Sequence, residues 1–228
     1  MNLTAEQRTR ILQMTIIISF LGVLFGAYLA LFWVGEDAAQ GPVQRIFYMH
    51  VPAFVGAFVA FVTGAISGAI YLRTRDKKWD TLAVSSIEVG FVLAFINLTS
   101  GITWAHPIWG TWWEWDPRLT SAAIMTLTYA AYLMLRNGIE SDDQRYRFAS
   151  IYGILALSTV IFTTIITRVR QDTIHPVITG MEDQMTTVLM TNMFIWALIL
   201  TPTLIWVRLR LESKYEQVQR IRVRNMEH

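Results

Sequence analysis

Met14 to Val34 reads MTIIISFLGVLFGAYLALFWV, twenty-one consecutive residues without a charged side chain. About 20 such residues make a helix long enough to cross a hydrocarbon core of about 30 Å. The rest of the chain repeats the pattern, with apolar runs at 52–72, 82–104, 117–135, 148–167 and 187–207. Together with 14–34 they predict an all-α polytopic membrane protein, a bundle of six transmembrane helices in one integral-membrane domain over residues 1–228. Composition agrees: 54% of residues are hydrophobic, 16% are charged, and the mean hydropathy is +0.39, values foreign to a soluble domain. Connecting segments are short, so no soluble domain remains to carry a separate activity. Arg8 and Arg10 precede the first run as they would in a signal peptide. The run is longer than a normal signal core of about 7–15 residues, and we expect it to be retained.

Charge sets the orientation. Of nineteen Lys and Arg, fifteen fall before the first run, between runs two and three, between runs four and five, and in the tail 208–228. Only Arg45, Arg118, Arg168 and Arg170 fall on the other side. This bias predicts both termini in the cytoplasm and loops one, three and five outside. The pI near 9.0 is then a consequence of topology and calls for no nucleic acid. The basic tail is expected against the anionic surface of the lipid bilayer or a cytoplasmic partner. The chain has no cysteine, which excludes thiol–disulfide chemistry, thiolate metal ligation and thioether attachment of a cofactor to this chain.

Loop three holds the densest chemistry. Trp104 is followed by Trp109-Gly110-Thr111-Trp112-Trp113-Glu114-Trp115-Asp116-Pro117-Arg118-Leu119-Thr120, so five of nine tryptophans stand within twelve residues. Indole offers a large flat face and one N–H, and a cluster of indoles suits stacking on a flat aromatic ligand. The alternative is a membrane-interface belt. Asp116 is a good N-cap and Pro117 a natural first helical residue, which pins the segment to the start of the fourth helix and favours a preformed surface. His106-Pro107 is expected to end the third helix, because a residue before proline disfavours helical geometry.

Small residues recur at helical spacing. Gly22, Gly26 and Ala30 mark the first helix, and Gly56, Ala60, Gly64 and Gly68 the second; both stripes predict close internal packing. Pro52 is expected in the first turn of helix two, with His50 at or just before its start. Glu88 is the one charged residue well inside a span. It is either a protonated, hydrogen-bonded acid or part of a proton path or ligand contact. A zinc motif such as HExxH and a GxxxxGK phosphate loop are both missing from the sequence.

Three of the four histidines, His50, His106 and His175, fall in outer loops, and the fourth is the last residue, His228. Neutral imidazole is an axial ligand for haem iron, and two from separate loops fit the two faces of one porphyrin. The tryptophans would cover the macrocycle. Arg45, Arg118, Arg168 or Arg170 would pair with its propionates, since the guanidinium fork matches a carboxylate.

The run Trp109 to Ser121 resembles the tryptophan-rich "WWD" signature of the haem-handling proteins of cytochrome c maturation. Tyr48-Met49-His50-Val51-Pro52 and Asp172-Thr173-Ile174-His175 resemble the segments that carry that group's two outer histidines. Six spans in 228 residues make the chain most similar to the haem exporter protein C family. The resemblance implies haem b, bound non-covalently as cargo at the external face of a bacterial-type inner (plasma) membrane. His50 and His175 would be its axial ligands. The external segment 104–120 would be its platform, through Trp104, Trp109, Trp112, Trp113, Trp115, Asp116 and Arg118. It further implies presentation to a haem chaperone of the CcmE type, with an ABC ATPase, a second membrane subunit and a small single-span subunit as partners. Catalysis by this chain is not implied. The residues leave open two other readings built on the Glu88-bearing helix, a membrane oxidoreductase and a permease.

Overall fold

The computed structural model describes residues 4–169 and 181–226. Helix α1 (Ala5–Tyr28) runs into a π turn, Leu29–Trp33, and a 3-10 turn, Pro42–Ile46, leads into α2 (Phe47–Thr74). Then follow α3 (Lys77–Trp109), α4 (Pro117–Gly138) and α5 (Asp142–Val169). The last rod is α6 (Asp183–Phe194), a second π turn at Ile195–Leu200, and α7 (Thr201–Met226). Among the described residues the one extended pairing is an isolated bridge, Asp37 to Gly41. Among the described residues, five stretches are long and apolar enough to cross a membrane: Ala5–Trp33, Pro42–Thr74, Lys77–Trp109, Asp142–Ile166 and Asp183–Gln219. The chain is an all-α polytopic membrane protein.

The fourth expected span is the exception. Helix α4 has 22 residues, about 33 Å at 1.5 Å per residue, yet it is not among the five. Thr120, Ser121, Thr126, Thr128, Tyr129 and Tyr132 lower its hydropathy, and the structure shows where most of them go. Ser121, Thr126, Tyr129 and Tyr132 are buried together with Met125, on a helix packed between α3 and α5. Thr126 donates to the carbonyl of Ala122, and Thr163 of α5 donates to the carbonyl of Ser121. A helix whose hydroxyls face protein need not be as apolar as one that faces lipid.

Helices α2 and α3 form the centre. On α2 the buried positions recur every three to four residues from Tyr48 to Tyr71, and its small residues are where other helices come closest. A Cβ on Gly56 would lie 2.8 Å from Thr201 Oγ1, and one on Gly64 would lie 2.7 Å from Ile87 Cγ1. The same holds on α3, where Gly90 meets the ring of Phe61. Phe61 in turn stacks on the fully buried Tyr129, with centroids 3.5 Å apart. The stripe on α1 behaves likewise: Gly22 faces Ile195, and Gly26 abuts the side chain of Asn192, whose Nδ2 donates to the Gly26 carbonyl at 3.3 Å. Both stripes thus serve internal packing, as their spacing predicted. Apart from this contact line α1 is peripheral, with Ile17, Phe20, Leu21, Leu24 and Phe25 exposed.

Several boundaries differ from the sequence reading. Helix α1 begins nine residues earlier than the apolar run, because Thr4 and Gln7 form a reciprocal capping box. Helix α2 starts at Phe47, so Pro52 lies inside it; the 3-10 turn delivers the chain already helical, and His50 is the fourth residue of the helix. Helix α3 does not end at His106-Pro107 but continues to Trp109. Proline costs the helix one bond here, and the following turn closes on Gly110, at φ 75°, whose N–H donates to the His106 carbonyl at 3.0 Å. Helix α7 carries on without interruption into the tail as far as Met226.

At one end of the bundle, charges are paired. Asp80 is buried and accepts a two-pronged contact from Arg136, at 2.8 and 2.6 Å. Arg136, Arg145 and Lys77 lie over the ring of Tyr146 at 5.3–5.8 Å. Asp76, in the short link before α3, caps that helix, and its hydrogen bonds from Lys78 hold its carboxyl below the usual range. Glu88 belongs to this end as well. Arg208 of α7 contacts it through Nε at 2.5 Å and donates a second bond to Glu212 at 2.7 Å.

Candidate functional site at the tryptophan-rich end

The opposite end gathers loop one, the start of α2, the end of α3 and the start of α4. Loop one is shaped by Asp37, whose Oδ1 accepts from the backbone N–H groups of Ala39 and Gln40 at 2.9 and 2.7 Å. The turn brings Gln40 over α3, where its Oε1 accepts from Trp104 Nε1 at 2.9 Å. Trp104 is buried, and this bond fixes the angle of its ring. Gln184, at the start of α6, closes the loop from the far side: it accepts from Gly35 N and donates to the carbonyl of Trp33.

His50 sits against α3. Its Nδ1 is 2.9 Å from the backbone carbonyl of Asn97 and 3.1 Å from Ser100 Oγ, while Asn97 Nδ2 donates to the carbonyl of His50 at 3.0 Å. Asn97, Ser100, Gly101 and Trp104 lie at i, i+3, i+4 and i+7, which is one face of α3. A Cβ on Gly101 would come within 3.1 Å of His50 Cε1 and 3.8 Å of Leu119 Cδ1. The histidine, the buried tryptophan and the first turn of α4 therefore share one corner of the bundle.

The tryptophans pair with one another by their edges. Trp104 and Trp109 meet at 86° with centroids 5.1 Å apart, and Trp113 and Trp115 at 82° and 5.6 Å. Edge-to-face contact satisfies the quadrupoles of the rings and leaves some faces open. Trp112 and Trp115 are exposed. The Nε1 of Trp113 is buried and has no acceptor among the described residues. His106 is exposed and stacks on Trp112 at 4.0 Å, so it belongs to the aromatic surface rather than to the corner that holds His50.

Asp116 and Arg118 are both buried. Asp116 is the N-cap of α4, as expected, and its Oδ1 accepts from the N–H groups of Arg118 and Leu119 at 2.9 and 3.3 Å. Arg45 lies 3.5 Å from Glu36 in loop one. His175 and Arg170 fall outside the described residues.

Residues 2–227 match the family model for heme exporter protein C. The chain belongs to the heme exporter protein C family. It is 37% identical to heme exporter protein C of Paracoccus denitrificans over 131 residues, 58% of this chain and 53% of that one. It is 33% identical to heme exporter protein C of Rhodobacter capsulatus over 156 residues, 68% of this chain and 63% of that one. The Escherichia coli K12 protein of the same name is 35% identical over 130 residues, 57% of this chain and 52% of that one. The matches thus span half to five-eighths of the length of these relatives.

Within this family member, the sequence reading had picked out His50, the five tryptophans, Asp116 and Arg118. The structure brings them to one end but adds residues that had no assigned part. Gln40 orients Trp104, and Asn97, Ser100 and Gly101 surround His50. In the sequence Asn97 and Ser100 are simply polar residues within the run 82–104. The usable signal was their spacing from Trp104, which puts them on its face of the helix.

Proposed function

We propose that this chain binds haem at the outer face of the plasma membrane and presents it to a haem chaperone for c-type cytochrome biogenesis. It serves as a binding and delivery subunit without catalysis of its own. His50 and His175 are the axial ligands of this reading, and the cargo is haem b, held without covalent bonds. What supports it most directly is His50. A carbonyl can only accept, so its 2.9 Å contact with Nδ1 places a proton on Nδ1, and in the neutral ring the basic nitrogen is then Nε2. That is the protonation state an iron ligand needs. The open faces of Trp112 and Trp115 suit stacking on a porphyrin. The buried N–H of Trp113 and the cationic side chain of Arg118 suit its carboxylates.

The same reading puts the basic end in the cytoplasm and assigns ATP hydrolysis to an ABC ATPase that works with a second membrane subunit and a small single-span protein. The oxidoreductase reading uses Glu88, which is engaged by Arg208 at 2.5 Å, and the permease reading uses the polar face of the helix that bears it.

The test is the absorption spectrum of the detergent-purified protein loaded with haem. Wild type is expected to show a low-spin spectrum with two nitrogen ligands, and His50→Ala and His175→Ala are each expected to abolish or shift it. An unchanged spectrum in both variants overturns the ligand assignment.

A further inference from the structure

The environment of His50 is more specific than its placement near the tryptophans requires. Two acceptors converge on Nδ1: the Asn97 carbonyl at 2.9 Å and Ser100 Oγ at 3.1 Å. Ser100 Oγ is itself 2.7 Å from the carbonyl of Ile96. The same oxygen is 3.0 Å from the carbonyl of Asn97, and a hydroxyl that donates to either carbonyl leaves a lone pair for the imidazole. Both partners thus call for the same tautomer.

The Asn97 amide is equally telling. Its Nδ2 is 3.4 Å from Nδ1 and 3.4 Å from Nε2. In the ring plane an atom equidistant from both nitrogens would collide with Cε1, so the amide lies over the ring face. It is thereby out of line with the Nε2 lone pair. The amide also donates to the His50 carbonyl at 3.0 Å, which ties the backbone of α2 to α3 at this level. Gly101 completes the cradle, since any side chain there would begin 3.1 Å from Cε1.

We propose that Asn97, Ser100 and Gly101 are positioning residues that hold the His50 ring with its Nδ1–H engaged, so that Nε2 is the nitrogen it offers to the haem iron. The proposal deepens the haem-binding function and rests on His50 as a ligand. An imidazole whose far N–H is held by a carbonyl and a hydroxyl is a better donor to a metal and cannot rotate away from it. Asn97 acts by covering one ring face and supplying the carbonyl. Ser100 supplies the second acceptor, and Gly101 acts by leaving the ring its room.

Two measurements test this on the full-length protein in detergent. In the haem-free protein, 15N spectra of labelled histidine, with His50 assigned by difference against His50→Ala, should show Nδ1 protonated and Nε2 bare. In the haem-loaded protein, Gly101→Val should weaken haem binding about 10- to 100-fold, the range found for groups that orient a metal ligand. It should also change the g-values of the low-spin ferric signal. Ser100→Ala should move the same signal by less, and Ser100→Thr, which keeps the hydroxyl, should restore it. A proton on Nε2 in the haem-free protein overturns the proposal. So does wild-type affinity and an unaltered signal in both Gly101→Val and Ser100→Ala when His50→Ala has lost them. If His50→Ala itself leaves the haem spectrum intact, the ligand reading falls instead, and the tautomer result stands apart from it.

Discussion

The two ends of the bundle solve opposite problems. At the basic end charges answer one another: Asp80 pairs with Arg136, Glu88 with Arg208, and Arg208 again with Glu212. Even Tyr146 works as a base for three cations. At the tryptophan-rich end, hydrogen bonds orient rings without covering them. Gln40 takes the N–H of Trp104 and Asn97 takes the Nδ1 proton of His50, while the faces of Trp112 and Trp115 stay exposed. A region whose polar groups satisfy each other is finished as structure. A region whose polar groups hold open ring faces in place has the surface that the proposed haem site calls for.

That contrast can be broken at either end. The largest loss of stability is expected from Arg136→Ala. Removing one partner of a buried pair leaves Asp80, only 2% exposed, charged and alone, at a cost of about 3–5 kcal/mol. The melting temperature in detergent would fall sharply, and Arg136→Ala combined with Asp80→Asn should recover part of the loss because no buried charge is stranded. A smaller effect is expected from Asp116→Ala, which removes an N-cap that accepts two backbone N–H groups and costs about 1 kcal/mol. Its sharper consequence is local. The tryptophan segment loses its anchor, so tryptophan fluorescence should change more than the melting temperature does.

The smallest change in stability is expected from Trp115→Ala. This side chain is 79% exposed, and a substitution away from buried contacts stays within about 0.5 kcal/mol. If the comparison is right, haem titration should nonetheless show weaker binding by this variant. Arg136→Ala, in whatever fraction remains folded, should bind haem as wild type does. A reversal of those two outcomes would place the functional surface at the wrong end.

Much of this was legible in the chain. The apolar runs announced the helices, because a segment of that length without charge has nowhere to go but a bilayer or a core. The glycine stripes announced close packing, and the structure only named their partners: Ile195 and Asn192 for α1, Thr201, Leu93 and Ile87 for α2. Asp116-Pro117 announced the start of α4 by local chemistry alone. Where local rules competed with tertiary context they were less reliable. A proline near the end of α3 was read as a stop, yet one lost hydrogen bond is tolerated when a left-handed glycine three residues on can close the turn. Helix α4, expected as a span at 117–135, is less apolar than the other five, and hydropathy cannot tell a hydroxyl facing protein from one facing lipid.

Composition, helical periodicity and charge bias, which depend on residues close in sequence, thus determined that this is an all-α membrane protein with one tryptophan-dense end. Pairings across long separations came only from the folded chain. His50 meets Asn97 and Ser100 across about 50 residues, Gln40 meets Trp104 across 64, and Glu88 meets Arg208 across 120. A histidine in a sequence carries two possible tautomers, and a glutamate in a span has many possible partners. The neighbour that fixes each one is supplied by packing, because the energy of a buried polar group depends on the partner it faces.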